Sequence, residues 1–174
     1  MMNDTWTFRV AKKEDAEEIR RVMQKVYEQM ENKSLFVPSS PEEILAHIES
    51  EGFTVGAYDP QGKMAGHFIV RYPREAEDNL GRDLGLPETE LLKVAHMESA
   101  VVLPEYRGHH LQVKMLRYAE SLIDKKQFCY FMSTVSPDNP ASYRSLEANG
   151  YQLMMTKEKY GGLLRRIYCK KVGI

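Results

Sequence analysis

One stretch of this 174-residue sequence combines residue types that could bind a charged ligand. Leu103-Pro104-Glu105-Tyr106-Arg107-Gly108-His109-His110-Leu111-Gln112 follows an apolar run, Val94 to Leu103, and opens a run of helical periodicity. A turn that feeds a helix N-terminus aims several backbone N–H groups at one point. The helix dipole adds positive potential there, which suits an anion such as a phosphate. On the same run Arg107, Lys114, Arg117, Lys125 and Lys126 outnumber Glu120 and Asp124, in keeping with an anionic ligand. An ordinary strand–turn–helix crossover with a solvated basic face would look the same, because short motifs recur by chance.

Just before this turn the chain reads Val94-Ala95-His96-Met97-Glu98-Ser99-Ala100. Strand alternation puts His96 and Glu98 on one face. Carboxylates are rarely buried without a partner, so Glu98 is either a structural carboxylate that binds loop backbone or a candidate general base. His96 reads as a packing histidine with its hydrogen bonds satisfied. His109 and His110 are adjacent, and adjacent side chains at a helix start do not converge on a metal. No metal is therefore expected. Cys129 and Cys169 lie in apolar runs and read as reduced, buried thiols rather than nucleophiles.

These residues need elements to hold them. Trp6, Phe8 and Val10 alternate with polar neighbours, as in a half-buried strand. From Asp15 to Met30, Ile19, Val22, Met23, Val26 and Met30 recur at helical spacing. Ser39-Ser40-Pro41-Glu42-Glu43 starts a second helix with a hydroxyl cap, Pro in the first turn and acids at the positive end, running to about Ser50. Phe53–Tyr58 and Met64–Tyr72 flank Asp59-Pro60-Gln61-Gly62 as a hairpin. Pro73 to Leu91 reads as a long acidic loop, and loops of that length are usually functional or mobile. After Val94–Leu103 comes an amphipathic helix over Arg107–Lys126, with Leu111, Met115, Tyr118, Ala119, Leu122 and Ile123 inward. A strand at Phe128–Val135 follows, then a helix capped by Asp138 or Asn139 that stops at Asn149-Gly150. Strands at Tyr151–Met155 and Leu163–Lys171, joined through Gly161-Gly162, finish the chain. The order β-α-α-β-β-β-α-β-α-β-β predicts an α/β fold, a single domain over residues 1–174 with mixed strand directions.

A second motif lies some thirty residues after the first: Ser136-Pro137-Asp138-Asn139-Pro140-Ala141-Ser142, then a helix that ends in Gly150-Tyr151. Together the two segments resemble the GNAT superfamily of N-acetyltransferases. Its acetyl-CoA site is marked by V-x-P-x-x-R-G, then Q/R-x-x-G-x-G/A opening a helix, then N-x-x-A/S before a helix ending in G-F/Y. Asn79-Leu80-Gly81-Arg82-Asp83-Leu84-Gly85-Leu86-Pro87 and Lys159-Tyr160-Gly161-Gly162-Leu163-Leu164-Arg165 are similar to one bacterial subgroup, so the resemblance spans nearly the whole chain.

The resemblance implies a GNAT-like, mostly antiparallel sheet flanked by helices, and an acetyl-CoA-dependent N-acetyltransferase acting on a primary amine of a small molecule or peptide. It implies that Arg107 and the backbone N–H groups of Gly108, His109, His110, Leu111, Gln112 and Val113 hold the CoA pyrophosphate. Val101 and Val102 would pair with the pantetheine arm, and Asn139 would place its thiol end. Glu98 matches a position that is often acidic and faces the acceptor. Two positions depart from the pattern. His110 and Gln112 stand where the signature has Gly, and Leu146 stands where many members have a Tyr that protonates the departing thiolate. Tyr143, one turn earlier, is the substitute candidate. The remaining tyrosines, Tyr151, Tyr160 and Tyr168, read as core or groove wall. The alternative reading is a non-catalytic acyl-CoA-binding or regulatory module of the same fold. The resemblance also allows a homodimer through the C-terminal strands.

Composition narrows the partners. Apolar residues at 43% and charged residues at 28% suit a folded globular chain rather than a disordered one. No apolar stretch reaches the ~20 residues of a membrane span, and no signal-peptide layout opens the sequence, so a cytoplasmic protein is expected. A net charge of −1 argues against nucleic acid and anionic membranes as partners. The charge is segregated, however: Glu75 to Glu90 carries six acids and one Arg, and Lys157 to Lys171 six bases and one Glu. The acidic loop is expected to lie on the acceptor side and to favour a cationic amine.

Overall fold

The computed structural model describes residues 5–173. Seven strands form one sheet in the order β1-β2-β3-β4-β5-β7-β6. They are β1 (Thr7–Val10), β2 (Gly52–Tyr58), β3 (Met64–Arg71), β4 (Val94–Val102), β5 (Tyr130–Val135), β6 (Gln152–Lys159) and β7 (Leu163–Lys171). The helices are α1 (Ala16–Glu28), α2 (Pro41–Glu49), a one-turn α3 (Glu88–Leu91), α4 (Leu111–Leu122) and α5 (Pro140–Ala148). Apart from the added α3, the expected element order and the mixed, mostly antiparallel sheet are as observed. Only β4 and β5 pair in parallel among the registered neighbours, through Val94–Tyr130, Ala95–Phe131 and His96–Met132.

The described residues cluster into two compact units. The first holds residues 5–31, 38–71 and 99–122. Its core comes from the apolar stripe of α1 (Ile19, Val22, Met23, Val26), with Val55 and Ala57 of β2, Phe68 of β3, and Leu111, Met115, Leu116 and Ala119 of α4. α2 begins as its sequence requires: the Ser40 hydroxyl accepts from the Glu43 N–H while the Glu43 carboxylate accepts from the Ser40 N–H. At Asp59 the hairpin turn is closed by one carboxylate oxygen that accepts from the N–H groups of Gln61 and Lys63.

The second unit holds residues 32–37, 72–98 and 123–173. Leu80, Val94, Met132, Ile167 and Cys169 form its buried cluster, with Leu84, Leu86, Tyr130 and Met155 packed against it. β6 and β7 make a long hairpin, paired from Gln152–Cys169 to Lys159–Leu163 with a register shift between Leu153 and Met155.

Several expectations need correction. The helix after the basic turn starts at Leu111 rather than Arg107, because Arg107 is extended and His110 is left-handed, which no α-helix can contain. Its buried face holds Leu116, whereas Leu122 is exposed. Val10 is exposed rather than inward, and Cys129 is only half-buried. The stretch from Pro73 to Leu91 is ordered. The Asn79 side chain donates to the carbonyls of Arg74 and Leu91 and accepts from the Gly81 N–H, so one amide holds three loop segments together. Arg82 adds bonds to the carbonyls of Glu75 and Ala76.

Candidate functional site

In the first unit, the segment after β4 is held from several sides. Leu103 N–H donates to the Ala65 carbonyl, and a 3-10 turn at Pro104–Tyr106 follows. The Tyr106 hydroxyl donates to Asp59 at 2.7 Å, which lowers the Asp59 pKa and pushes Tyr106 up to about 12. Glu105 pairs with Lys25 at 3.3 Å. The chain then reverses through Gly108, at φ +91°, and His110, at φ +58°. The first bond of α4 runs from Lys114 N–H to the His110 carbonyl. Hence the N–H groups of Leu111, Gln112 and Val113 lie in the first helical turn, where no intrahelical acceptor exists. Arg107, Gly108 and His110 are exposed, and Leu111 is buried beneath the turn. A side-chain atom added at Gly108 would meet nothing within 4 Å. The geometry is that of a helix-start anion site with open approach. His110 supplies the positive φ for which Gly would be the natural residue.

In the second unit, the parallel ladder between β4 and β5 stops at His96–Met132. Past that pair a cavity of ≈ 140 Å³ is lined by Met97 and Glu98 of β4, Ser133 and Thr134 of β5, and Asp78, Leu80, His96, Met132, Lys159 and Tyr160. Leu80, Met97 and Met132 are its apolar lining, and several of its polar groups have defined partners. His96 is buried, and its Nε2 accepts from the Leu80 N–H at 3.0 Å, so that nitrogen carries no proton. Ser133 donates to the Met97 carbonyl at 2.9 Å. Lys159 is held by Asp83 at 2.6 Å, together with Lys157 at 2.6 Å. Burial works to raise the Asp83 pKa, but the two lysines prevail and hold it below the usual carboxylate value. Tyr160 is the tip of the β6–β7 hairpin. Its ring is half-exposed, yet its hydroxyl reaches inward to Thr134 Oγ1 at 2.8 Å. Burial of that inner end raises its pKa, with Glu98 and Asp78 adding to the rise and Thr134 and Arg165 opposing it.

Glu98 is exposed and lines the cavity together with His96 and with Met97 between them. His96 is the satisfied packing histidine that its sequence context suggests. Val101 is buried and Val102 half-buried in the last part of β4. Asn139 caps α5 by accepting from the Ser142 N–H. Tyr143 is not among the cavity's lining residues: its ring lies 4.2 Å from the Arg166 guanidinium. Leu146 is buried. Of the carboxylates of the acidic loop only Asp78 is in the cavity lining, while Asp83, Glu88 and Glu90 are engaged by Lys157 and Lys159, Arg82, and Lys93 and Tyr130. Sequence reasoning singled out neither Thr134 nor Lys159, and it took Tyr160 only as core or groove wall and Asp78 only as part of the acidic loop. The one available signal was the Gly161-Gly162 pair, which lets the hairpin tip fold back.

The model of the acetyltransferase (GNAT) family matches residues 16–151, more than three quarters of the chain. The chain belongs to the GNAT acetyltransferase family. Solved structures agree on the fold. The ribosomal-protein-S18-alanine N-acetyltransferase of Escherichia coli superposes with a TM-score of 0.73 at 15% identity, covering 98% of this chain and 96% of that one. Ribosomal-protein-S5-alanine acetyltransferase of Vibrio fischeri gives 0.71 at 16%, with 98% and 95% covered. NAA60 of Arabidopsis thaliana, solved in complex with acetyl-CoA, gives 0.72 at 10%, with 97% and 99% covered. No curated protein matches the sequence. At such identities a shared GNAT fold says nothing of the acceptor.

Proposed function

We propose that this GNAT protein is an acetyl-CoA-dependent N-acetyltransferase that acts on a primary amine by direct attack in a ternary complex. The observation that carries this reading is the cavity where β4 and β5 part, with the Glu98 carboxylate at its edge. Arg107 and the backbone N–H groups of residues 108–113 are the groups suited to hold the pyrophosphate, and no side chain crowds that turn at Gly108. The backbone of Val101 and Val102 would pair with the pantetheine arm, and Asn139 would help to place its thiol end. Acetyl-CoA supplies an activated acyl group.

The protein's part is to bring the amine to it, take its proton and stabilise the developing charge. Glu98, directly or through water, takes the proton of the incoming ammonium. The free amine forms the new C–N bond, the C–S bond breaks, and the thiolate leaves with its electron pair, taking, directly or through water, the proton that the nitrogen gives up. Neither Cys129 nor Cys169 lines the cavity, so no acyl-enzyme is invoked. The amine-bearing end of a small molecule or of a peptide would fit ≈ 140 Å³, which holds only a few water-sized groups.

The reading is tested by calorimetric titration with acetyl-CoA, followed by thiol release over a panel of primary alkylamines and peptide N-termini. Acetyl-CoA binding and turnover with at least one amine are expected. Glu98→Gln should lower kcat by about 10²-fold or more, with little change in acetyl-CoA affinity. Absence of acetyl-CoA binding would end the proposal. Binding without turnover on any amine would favour a non-catalytic acyl-CoA-binding module.

A further inference from the structure

Sites that enclose a drug-sized ligand measure roughly 300–1,000 Å³, whereas the cavity at Glu98 measures ≈ 140 Å³. A small cavity can still take a bulky acceptor if one wall swings aside. Here the walls are anchored one by one. His96 is tied through Nε2 to the Leu80 N–H at 3.0 Å, and Ser133 to the Met97 carbonyl at 2.9 Å. Met132 is 0% exposed and belongs to the buried cluster with Val94 and Ile167. The remaining wall is the tip of the β6–β7 hairpin, which is tied to several other segments. Lys159 is drawn to the Asp83 carboxylate, which Lys157 bridges as well. The Tyr160 hydroxyl lies 2.8 Å from Thr134 Oγ1 of β5. The turn closes with the Gly162 N–H on the Lys159 carbonyl at 3.1 Å. Near the start of β7, buried Arg165 donates to the Ser34 carbonyl and so ties the hairpin to the segment 32–37. Tyr160 itself sits at φ +51°, which a bulky residue keeps only where its surroundings over-determine it.

We propose that this rigid box admits only an amine carried on an unbranched methylene carbon, and that Tyr160 is the residue that sets the limit. A nitrogen placed to attack the thioester brings its own carbon into the cavity with it. A methylene carries only hydrogens there besides its chain. A branch at that carbon adds a methyl or larger group against walls that do not yield. The acceptor class is therefore alkylamines, diamines and lysine-type side chains, with glycine the one peptide N-terminus of that kind. Amines whose carbon bears a side chain are rejected, which sets aside every other peptide N-terminus. A group of methyl size in a fitted pocket discriminates by about 10–200-fold.

This inference rests on the proposed transferase function, and the test separates the two. The acceptors are matched pairs that differ by a methyl on the carbon bearing the nitrogen, drawn from alkylamines, diamines and peptides. Examples are n-propylamine with sec-butylamine, and glycine- with alanine-initiated tripeptides. The wild type should favour the unbranched member of each pair by at least about tenfold in kcat/KM. Tyr160→Gly removes the wall yet suits the positive φ, and should shrink that ratio to below about threefold. Thr134→Val keeps the ring but frees its hydroxyl, so it should give an intermediate ratio and faster amide hydrogen exchange at Gly162. Equal rates for both members in the wild type, or a ratio that Tyr160→Gly leaves unchanged, would overturn the assignment while the transferase reading stood. Unchanged Gly162 exchange in Thr134→Val would overturn it too, because the tip would then not depend on its anchor. Acetyl-CoA binding without turnover of any amine would remove the transferase reading, and this inference with it.

Discussion

His110 shows how a single residue can depart from a motif without abandoning its geometry. The signature position wants Gly because the backbone is left-handed, and here the imidazole-bearing residue adopts φ +58°. Histidine is among the residues that tolerate this region, at a cost of roughly 1–2 kcal/mol relative to a right-handed conformation. His110→Gly should relieve that strain against a higher unfolded-state entropy, leaving stability within about 1 kcal/mol of wild type. His110→Val should lose about 1–2 kcal/mol, because a β-branched residue fits left-handed backbone worst. Urea unfolding of the three proteins checks this; equal midpoints for Gly and Val would show that the turn is not held at positive φ. The substitution at position 110 is visible in the sequence, but its conformational consequence is not. Likewise Glu98 and His96 could be paired by strand alternation alone, whereas Tyr160 could not be placed beside them. Its tie to Thr134 joins residues 26 apart, and no local pattern encodes that.

At the scale of elements, local signals were read well and distant ones poorly. The Ser40–Glu43 capping box, the Asn139 cap and the Asn149-Gly150 stop all act within a few residues, so the sequence displays them. The loop from Pro73 to Leu91 looked loose because its ties come from far away: Asp83 is bridged by Lys157 and Lys159, more than seventy residues on. The Asp83 side chain is only 7% exposed, so removing its charge leaves Lys159, 20% exposed, without its carboxylate, while Lys157, 45% exposed, can turn to water. Asp83→Asn should cost about 1–3 kcal/mol and speed amide hydrogen exchange from Asn79 to Leu86 more than elsewhere. Exchange unchanged across that stretch would mean that Asn79 alone holds the loop. Strand β3 carries a second distant constraint. A Cβ on Gly66 would lie 2.4 Å from the Val101 carbonyl oxygen, so β3 and the end of β4 approach too closely for any side chain. Gly66→Ala should therefore lose about 2–3 kcal/mol, and a neutral result in urea unfolding would contradict the close approach.

Across the whole molecule, carboxylates held at a lowered pKa lose their contribution only as the pH falls into and below the ordinary carboxylate range, so at mildly acidic pH the buried histidines come to the fore. His67 of β3 is 0% exposed, and neither ring nitrogen has a hydrogen-bond partner among the described residues. Burial pushes its pKa down to about 3, opposed by the Ile19 backbone, which lies close enough to favour the charged form but outside hydrogen-bond geometry. His47, also buried, is shifted in the same direction, chiefly by burial and then by Arg71. A folded pKa below the unfolded value of about 6.5 means that the unfolded chain binds the proton first. The stability that neutral His67 permits is thus complete above pH 6.5 and is lost as the pH falls toward 3, by about 1.4 kcal/mol per pH unit. Unfolding free energies at pH 7 and pH 4.5 should then differ by about 2–3 kcal/mol more in the wild type than in His67→Leu. The leucine variant should be at least as stable at pH 7, because it removes a buried polar ring that makes no hydrogen bond. Parallel pH profiles for the two proteins would show that His67 gains a partner or water that offsets its burial.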